Sequence, residues 1–396
     1  MSPSPEAIAA AAVMFVALAA YALFGGADFG GGTWDLLAGG TRRGAAPREL
    51  IDEAITPVWE ANHVWLIFVL VLLWTAFPPA FAAIMITLFV PLSLSLLGIF
   101  LRGVGFAFRH TAQRLRMRQF TGAMFAASSL ITPFFLGTVI GAVATGQVPA
   151  HPTGAVLSAW TSLTALLTGA LFAAACAYIS AVFLVLEARR RTRQDLVRYF
   201  SKRATGAGIL TGALAGITFA ELSRSAPHIY AGLTGRALPL VAISVAAGIA
   251  VLGMIRLRWY PGLRPAAAIA VVTVVWGWGL AQYPQLLPGA LSLAAGSAPP
   301  ATLLAELAIA GIAALIVGPA FGVLYWLQQR GKLTETETTT ELRQAAHLTP
   351  APPGGQVTAA PASTASKLTM ALVLALLVIK AIKDMFSPSR RPRPRA

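Results

Sequence analysis

Residues 64–77 read VWLIFVLVLLWTAF, an apolar run without a single ionisable side chain. Counted from Ile55, the apolar stretch is long enough to cross the hydrocarbon core of a bilayer, which takes about 20 residues of helix. Pro78 and Pro79 follow at once and predict a tight break. This stretch therefore predicts a membrane-spanning helix that ends abruptly.

Comparable apolar runs recur on both sides of this one. They cover about 7–24, 80–101, 120–145, 155–186, 204–222, 237–255, 265–282 and 301–327. Hydrophobic residues make up 57% of the chain and charged residues 11%, whereas a soluble domain carries about 25% charged residues. The sequence therefore predicts an all-α polytopic membrane protein with about nine transmembrane helices packed in bundles.

The basic residues indicate the orientation of these helices. They cluster after the odd-numbered runs, at Arg42, Arg43, Arg48, Arg102, Arg109, Arg114, Arg116, Arg118, Arg189, Arg190, Arg191, Arg193, Arg256, Arg258, Arg264, Arg330 and Lys332. Because loops rich in Lys and Arg stay in the cytoplasm, the N-terminus is expected outside. The same clustering explains the net charge of +15 without a nucleic-acid partner.

The end of the chain differs in composition from the transmembrane domain at residues 1–330. Residues 331–366 are polar and rich in Thr, Pro and Ala, which is typical of a disordered linker. Residues 367–396 combine a short apolar segment with a basic tail, and residues 368–379 would span only about 18 Å as a helix. We expect this segment to be an interfacial helix, with a tenth spanning helix as the alternative.

Ionisable side chains within spans are costly, so each is a candidate for function. Glu60 and His63 lie three residues apart and therefore on one face of a helix, in a run that also contains Trp59, Asn62 and Trp65. A carboxylate beside an imidazole can pass a proton. The alternative is a hydrated pair at the membrane interface, with the tryptophans in an aromatic belt.

The other ionisable candidates have simpler interpretations. Asp28 lies in the glycine-rich segment 25–32, whose glycines let another backbone approach closely, so we expect it to serve helix packing. There it could pair with an arginine from the loops or cap a following helical piece. Arg102 and Arg109 are expected to be topology anchors, and a salt bridge to an intramembrane acid is the alternative. Three further acids are expected to be solvated or interfacial: Asp35, Glu221 and Glu306.

The sequence offers no ligand set for a metal or a haem. A bis-histidine haem needs two imidazoles at matching depth on facing helices. Only His63 lies within a span, and the remaining histidines fall in loops or in the tail: His110, His151, His228 and His347. Because Cys176 is the single cysteine, a cysteine metal site is also excluded. We therefore predict a non-catalytic subunit of a larger assembly that binds neither metal nor haem.

Four ordered motifs resemble those of subunit II of cytochrome bd-type quinol oxidases. They are GADFGGG at 26–32, PVWEANHVWL at 57–66, TAFP at 75–78 and LRGVGFAFR at 101–109. The resemblance covers about residues 21–109. Beyond that stretch, the later helices match the family only in hydropathy and number.

The resemblance implies a respiratory role in a bacterial cytoplasmic membrane. In this family subunit I carries the b and d haems and the quinol site, while subunit II pairs with it, binds no haem and contributes to proton and oxygen access. Small accessory membrane subunits and lipid are further partners that the resemblance implies. Carried over, Glu60 takes the acid position of a proton path, Asp28 takes the second acid of the first signature, and Trp65 lies near an oxygen route.

This sequence departs from the family pattern at three positions. Gly25 and Ala107 stand where acids are common, and His63 stands where Gln or Glu is common. We hypothesise that His63 compensates for the lost acids. Two other functions fit the hydropathy alone: a secondary transporter, or a structural subunit of another respiratory complex.

Overall fold

A computed structural model describes residues 2–40, 43–55, 59–111 and 115–329. Within these ranges the side chains of 55, 59–62, 106, 107, 109–111, 115–119, 321 and 324–329 are outside the description. The elements in chain order are α1 (Pro5–Ala20), a π-helical turn (Tyr21–Gly25), α2 (Gly26–Leu36), α3 (Ala45–Ile55), α4 (Trp59–Ala76), α5 (Pro78–Thr87), α6 (Phe89–Thr111), α7 (Leu115–Ala144), α8 (Leu157–Thr161), α9 (Leu163–Arg190), α10 (Gln194–Ser225), α11 (Pro227–Thr234), α12 (Leu238–Arg256), α13 (Leu263–Gln282), β1 (Gln285–Leu287), β2 (Leu291–Ser292), α14 (Leu293–Gly296) and α15 (Pro300–Gln329). The predicted linker at 331–366 and the apolar and basic segment at 367–396 lie outside the described residues.

The described helices confirm an all-α membrane protein, although the predicted count of nine spans is not confirmed. Seven of these helical segments are long and apolar enough to cross a bilayer: Pro5–Leu36, Phe120–Ala144, Leu163–Arg190, Gln194–Ser225, Leu238–Arg256, Leu263–Gln282 and Pro300–Ala320. The bent pair His63–Ala76 and Pro78–Thr87 raises the number to eight if it forms one span. The remaining predicted run corresponds to Phe89–Gly105, which is a shorter apolar helix.

The first helix is longer than the hydropathy predicts. It runs over 32 residues from Pro5 to Leu36, so the glycine-rich segment lies inside it and not below it. A membrane helix tolerates glycine because any other conformation would leave backbone groups without partners in the hydrocarbon. Asp28 is therefore a helical residue, and the expectation that it caps a separate helical piece is wrong.

Two breaks divide the second and third predicted runs. The first is the break predicted at Pro78, where α4 and α5 meet at 119°. The second lies at Leu88 and was not predicted, because the third run reads as one apolar stretch. Pro91 explains it, since a proline without N–H fits the first turn of a new helix, here α6, better than the middle of a continuing one.

Helix α9 lies at the centre of the compact unit formed by residues 1–308. It packs against α2, α7 and α10, and 72% of its spanning window is buried, compared with 11% for Leu238–Arg256. Many large apolar side chains on the outer helices are exposed, as Ile249 on α12 illustrates. Such exposure is expected where the surrounding solvent is lipid. Residues 309–329 of α15 belong to a second unit.

Candidate functional site

A buried ion pair joins the first helix to α6. Arg102 Nη2 donates to Asp28 Oδ1 at 2.7 Å, and Arg102 Nε donates to Asp28 Oδ2 at 3.3 Å. Both side chains are 1% exposed. Arg102 Nη2 also donates to the Asp28 carbonyl oxygen at 2.8 Å. The bidentate geometry fits a guanidinium and a carboxylate that have both left water.

The other side of the Arg102 guanidinium is satisfied by α7. Arg102 Nη1 donates to Ser129 Oγ, and Ser129 Oγ donates to the Phe125 carbonyl oxygen. The guanidinium carbon lies 4.2 Å from the centroid of the Phe125 ring and 5.3 Å from that of Phe29. Three helices therefore share one buried cation, which a topology anchor at the membrane surface would not require.

Gly32 provides the space for this arrangement. A Cβ atom at Gly32 would collide with Ser129 Oγ and would lie 2.9 Å from Arg102 Nη1. Any larger residue would have to displace the arginine or the serine. The glycine at position 32 of the signature is thus explained by the space that the ion pair and Ser129 occupy. Ser129 belongs to the site, and the sequence analysis did not predict it. Its only signal there is a Ser-Ser pair inside an otherwise apolar helix.

His63 lies in an aromatic cage beside the ion pair. Its ring centroid is 6.0 Å from that of Phe29 and 6.4 Å from that of Tyr21, both edge-on. Tyr21 is 2% exposed, and its hydroxyl has no hydrogen-bond partner among the described residues. The structure therefore brings His63 close to the residue that follows Asp28, a proximity that the separate motifs did not predict.

The π-helical turn explains one departure from the family pattern. A Cβ atom at Gly25 would lie 2.8 Å from Tyr21 Cε2, so the Tyr21 ring fills the space beside this position. An acid at residue 25 would require the ring to move. Single π-turns within helices often occur at functional sites, and this one places Tyr21 over His63.

Other residues of the second motif are positioned by α4. Trp65 stacks on Phe24, with ring centroids 6.5 Å apart and planes 22° apart. The backbones of Trp59, Glu60 and Asn62 belong to α4, while their side chains lie outside the described residues, as does that of Arg109. Helical spacing still places Glu60 and His63 on one face.

Two of the three remaining predicted acids, Asp35 and Glu306, have partners that the sequence did not reveal. Asp35 is 5% exposed and accepts from Arg48 Nε at 2.8 Å, so the expectation that it is solvated is wrong. Glu306 on α15 accepts a hydrogen bond from Thr75 of α4 through Oε1, and its Oε2 has no partner among the described residues. Glu221 borders a surface pocket near Arg224 and Tyr230.

Within the described ranges, no three His, Cys, Asp or Glu side chains are grouped so that they could hold a metal ion. His63 is the only histidine of those ranges inside a candidate span, since His110 lies beyond the apolar helix Phe89–Gly105 and His151 and His228 lie between spans. The donor set of the described residues therefore does not fit bis-histidine haem ligation.

Comparison with known proteins identifies the same family throughout. The sequence profile described as cytochrome bd terminal oxidase subunit II matches residues 7–328. The chain is 31% identical over 128 residues to cytochrome bd ubiquinol oxidase subunit 2 of Bacillus subtilis, which is 32% of this chain and 36% of that protein. It is 30% identical over 126 residues to cytochrome bd-I ubiquinol oxidase subunit 2 of Escherichia coli K12, which is 32% of each chain. The matched segment thus spans about a third of these relatives.

The fold is also similar to a solved structure. Bd oxidase from Geobacillus thermodenitrificans aligns with a TM-score of 0.64 at 20% identity, covering 82% of this chain and 98% of that chain. At this identity the likeness concerns the fold alone. Like the profile match over residues 7–328, it covers most of the helices.

Proposed function

Since the chain belongs to the cytochrome bd terminal oxidase subunit II family, we propose that it is the second subunit of a quinol oxidase in the bacterial cytoplasmic membrane. A partner subunit I holds haems b and d and the quinol site. When bound there, the haems carry electrons from quinol to O2, which is reduced to water. This chain binds the partner and contributes access routes for protons and oxygen, with small accessory membrane subunits and lipid as further components.

The observation that carries the proposal is the buried Asp28–Arg102 pair beside His63. Fully buried charges in a membrane protein are costly and often belong to proton or substrate pathways. Here the pair joins the first and fourth family motifs, and His63 of the second motif lies in the adjoining cage. Three of the four motifs therefore meet at one place inside the helical bundle.

Reduction of O2 to water consumes protons as well as electrons, so the oxidase needs a path that carries protons to the reacting site. In the proposed route Glu60 receives protons from the cytoplasmic side, and His63 on the same face of α4 relays them. Asp28 contributes through its charge pair with Arg102, which holds a negative group beside the cage. His63 thereby takes over part of the role of the acids absent at Gly25 and Ala107.

Oxygen is apolar and reaches a buried site most easily along an apolar surface. Trp65 and Phe24 form a stacked pair next to the cage, where α4 faces the first helix. We assign Trp65 to the oxygen route for this reason. Trp59 and Asn62 in α4 and Arg109 in α6 are assigned to packing or anchoring.

The assembly tests the proposal directly. A tag on this chain should purify a pigmented companion whose absorption includes a d-type haem band, and the complex should consume O2 when a quinol is supplied. A colourless chain that purifies alone and consumes no O2 would contradict the proposed function.

His63→Ala in the same complex tests the proton route. Turnover, measured over about pH 6 to 8, is expected to fall by up to about a hundredfold, the lower end of the range for a positioned proton-transfer group. His151→Ala in an exposed loop between α7 and α8 is the matched control and should leave turnover unchanged. Unchanged rates for His63→Ala across this range would rule the route out and leave the subunit assignment intact.

A further inference from the structure

A groove on the surface of the described helices lies between α2, α7, α9 and α10. Its volume is about 730 Å³, within the range of about 300–1,000 Å³ for small-molecule sites. Its lining includes the side chains of Leu130, Phe134, Ala174 and Leu214 and is apolar except for Thr33 and Arg203. The groove is separate from the Asp28–Arg102 site and needs an occupant that is mostly hydrocarbon.

Arg203 is the one charged residue in this lining. Its guanidinium carbon lies 3.3 Å from the centroid of the Tyr199 ring and 5.9 Å from that of Trp34. One of its nitrogens donates to the Tyr199 carbonyl oxygen at 3.4 Å. Among the described residues no carboxylate lies within salt-bridge distance of it. The cation is thus held in place by aromatic rings while its charge lacks an anion.

The depth of Arg203 in the membrane follows from the sequence of α10. Residues 204–220 contain no Asp, Glu, Lys or Arg, and this run covers about 25 Å of helix, close to the hydrocarbon thickness of about 30 Å. Lys202 and Arg203 directly precede the run on its cytoplasmic side. The guanidinium therefore lies at the level of the lipid phosphates, and the groove extends from it into the hydrocarbon.

We infer that this groove binds one acidic phospholipid of the cytoplasmic leaflet. The phosphate binds Arg203, since a guanidinium at the interface prefers a planar or tetrahedral oxyanion, and one acyl chain lies along Leu130, Leu210 and Leu214. Leu210 and Leu214 follow Arg203 by two and three turns of α10, which matches the direction of an acyl chain entering the bilayer. The inference does not depend on the oxidase function.

Gly206 keeps the groove open below the guanidinium. A Cβ atom there would have no heavy atom within 4 Å, so the position faces empty space in the groove. A larger side chain at residue 206 would fill this space without moving the backbone. The same helix offers a matched position outside the groove, because Gly212 is also without neighbours within 4 Å.

The test measures lipid binding to the intact purified complex by native mass spectrometry. Phosphatidylglycerol is compared with phosphatidylcholine of identical acyl chains. Arg203→Gln should weaken phosphatidylglycerol binding about fivefold, the effect of one basic residue near an anionic surface, and should leave phosphatidylcholine binding unchanged. Arg198→Gln, an exposed cation on the same helix outside the groove, is the control and should bind as the unaltered protein does.

Gly206→Leu tests the groove independently of charge. It should reduce phosphatidylglycerol binding to a level below that of Gly212→Leu, while both variants assemble normally. Equal binding of the two lipids by the unaltered protein, or equal binding by the Arg203 and Arg198 variants, would overturn the inference. So would equal binding by the two glycine variants, or a protein segment found seated in the groove.

Discussion

At the scale of single residues, the stability of the fold depends on how its buried charges are paired. Arg102 and Asp28 are both withdrawn from solvent and hydrogen-bonded to one another, and Ser129 and Phe125 satisfy the rest of the guanidinium. An isolated charge at this depth would be expensive, whereas a bidentate pair with further partners offsets much of that cost. The pair therefore forms a single unit, and changing one member affects the other.

The first prediction concerns this pair. Asp28→Asn removes the negative charge and leaves Arg102 buried without compensation, so we expect a loss of about 3–5 kcal/mol in stability. Thermal unfolding of the complex in detergent measures it. The double variant Asp28→Asn, Arg102→Gln removes both charges and should be more stable than the single variant.

Asp195→Asn is the control for this comparison. Its side chain is 62% exposed and lies 3.7 Å from Arg193, so its loss should change stability by less than about 1 kcal/mol. If Asp28→Asn were as stable as Asp195→Asn, the buried pair would contribute nothing to the stability of the fold.

At the scale of helices, α2, which carries Asp28, is in close contact with α9. A Cβ atom at Gly30 would collide with the backbone carbonyl of Cys176 and with the Ser180 side chain. Trp34 reinforces the same contact, because its Nε1 donates to the Ala177 carbonyl oxygen at 2.8 Å. Small residues at such crossings let membrane helices pack through van der Waals contact, since no hydrophobic force drives them together in lipid.

The second prediction follows from this crossing. Gly30→Ala should separate α2 from α9 and destabilise the protein by about 1–3 kcal/mol, as overpacking does in other cores. Gly216→Ala is the matched control, since nothing lies within 4 Å of its added Cβ and alanine favours a helix over glycine by up to about 1 kcal/mol. The unfolding temperatures of the two variants measure this difference in stability. Equal temperatures would show that the crossing tolerates a methyl group.

At the scale of the whole molecule, the distribution of basic residues predicts the orientation. Loops after the odd-numbered runs carry the arginines and should face the cytoplasm. The helix ends predicted to face the cytoplasm are also joined by ion pairs, as Arg191 pairs with Glu187 of its own helix and with Glu53 of α3. These contacts would hold the predicted cytoplasmic face together as one surface.

The third prediction tests this orientation with a single cysteine. Cys176 is 1% exposed, so the unaltered chain should not react with a membrane-impermeant maleimide. Both positions are exposed, and the distribution of basic residues predicts them on opposite faces. His151→Cys should therefore be labelled in intact cells, and Gly40→Cys only after the membrane is opened. Labelling in the reverse pattern would show that the N-terminus lies inside.

Prediction from the sequence succeeded for class and family, and was weaker where glycine or proline interrupts a helix. The break at Pro78 was predicted because two adjacent prolines mark it, but the break at Leu88 was not, since Pro91 lies within an apolar run. The first helix continues to Leu36, although the glycines at 25–32 indicated an earlier end. In each case hydropathy predicted which residues belong to an apolar segment, and local backbone geometry determined where the helix ended.

By itself, the sequence determined the membrane class, the expected orientation and the family, because composition, charge distribution and ordered motifs are local properties of the chain. The tertiary structure alone decided that Arg102 pairs with Asp28 across 74 positions of sequence and that Asp35 is buried on Arg48. It also decided that Arg203 has no anionic partner within the described part of the chain. Such pairings depend on which helix faces turn toward each other. Those faces are fixed by the shape of the helix surfaces and by their close contact. The hydropathy of one segment does not indicate which other helix packs against it.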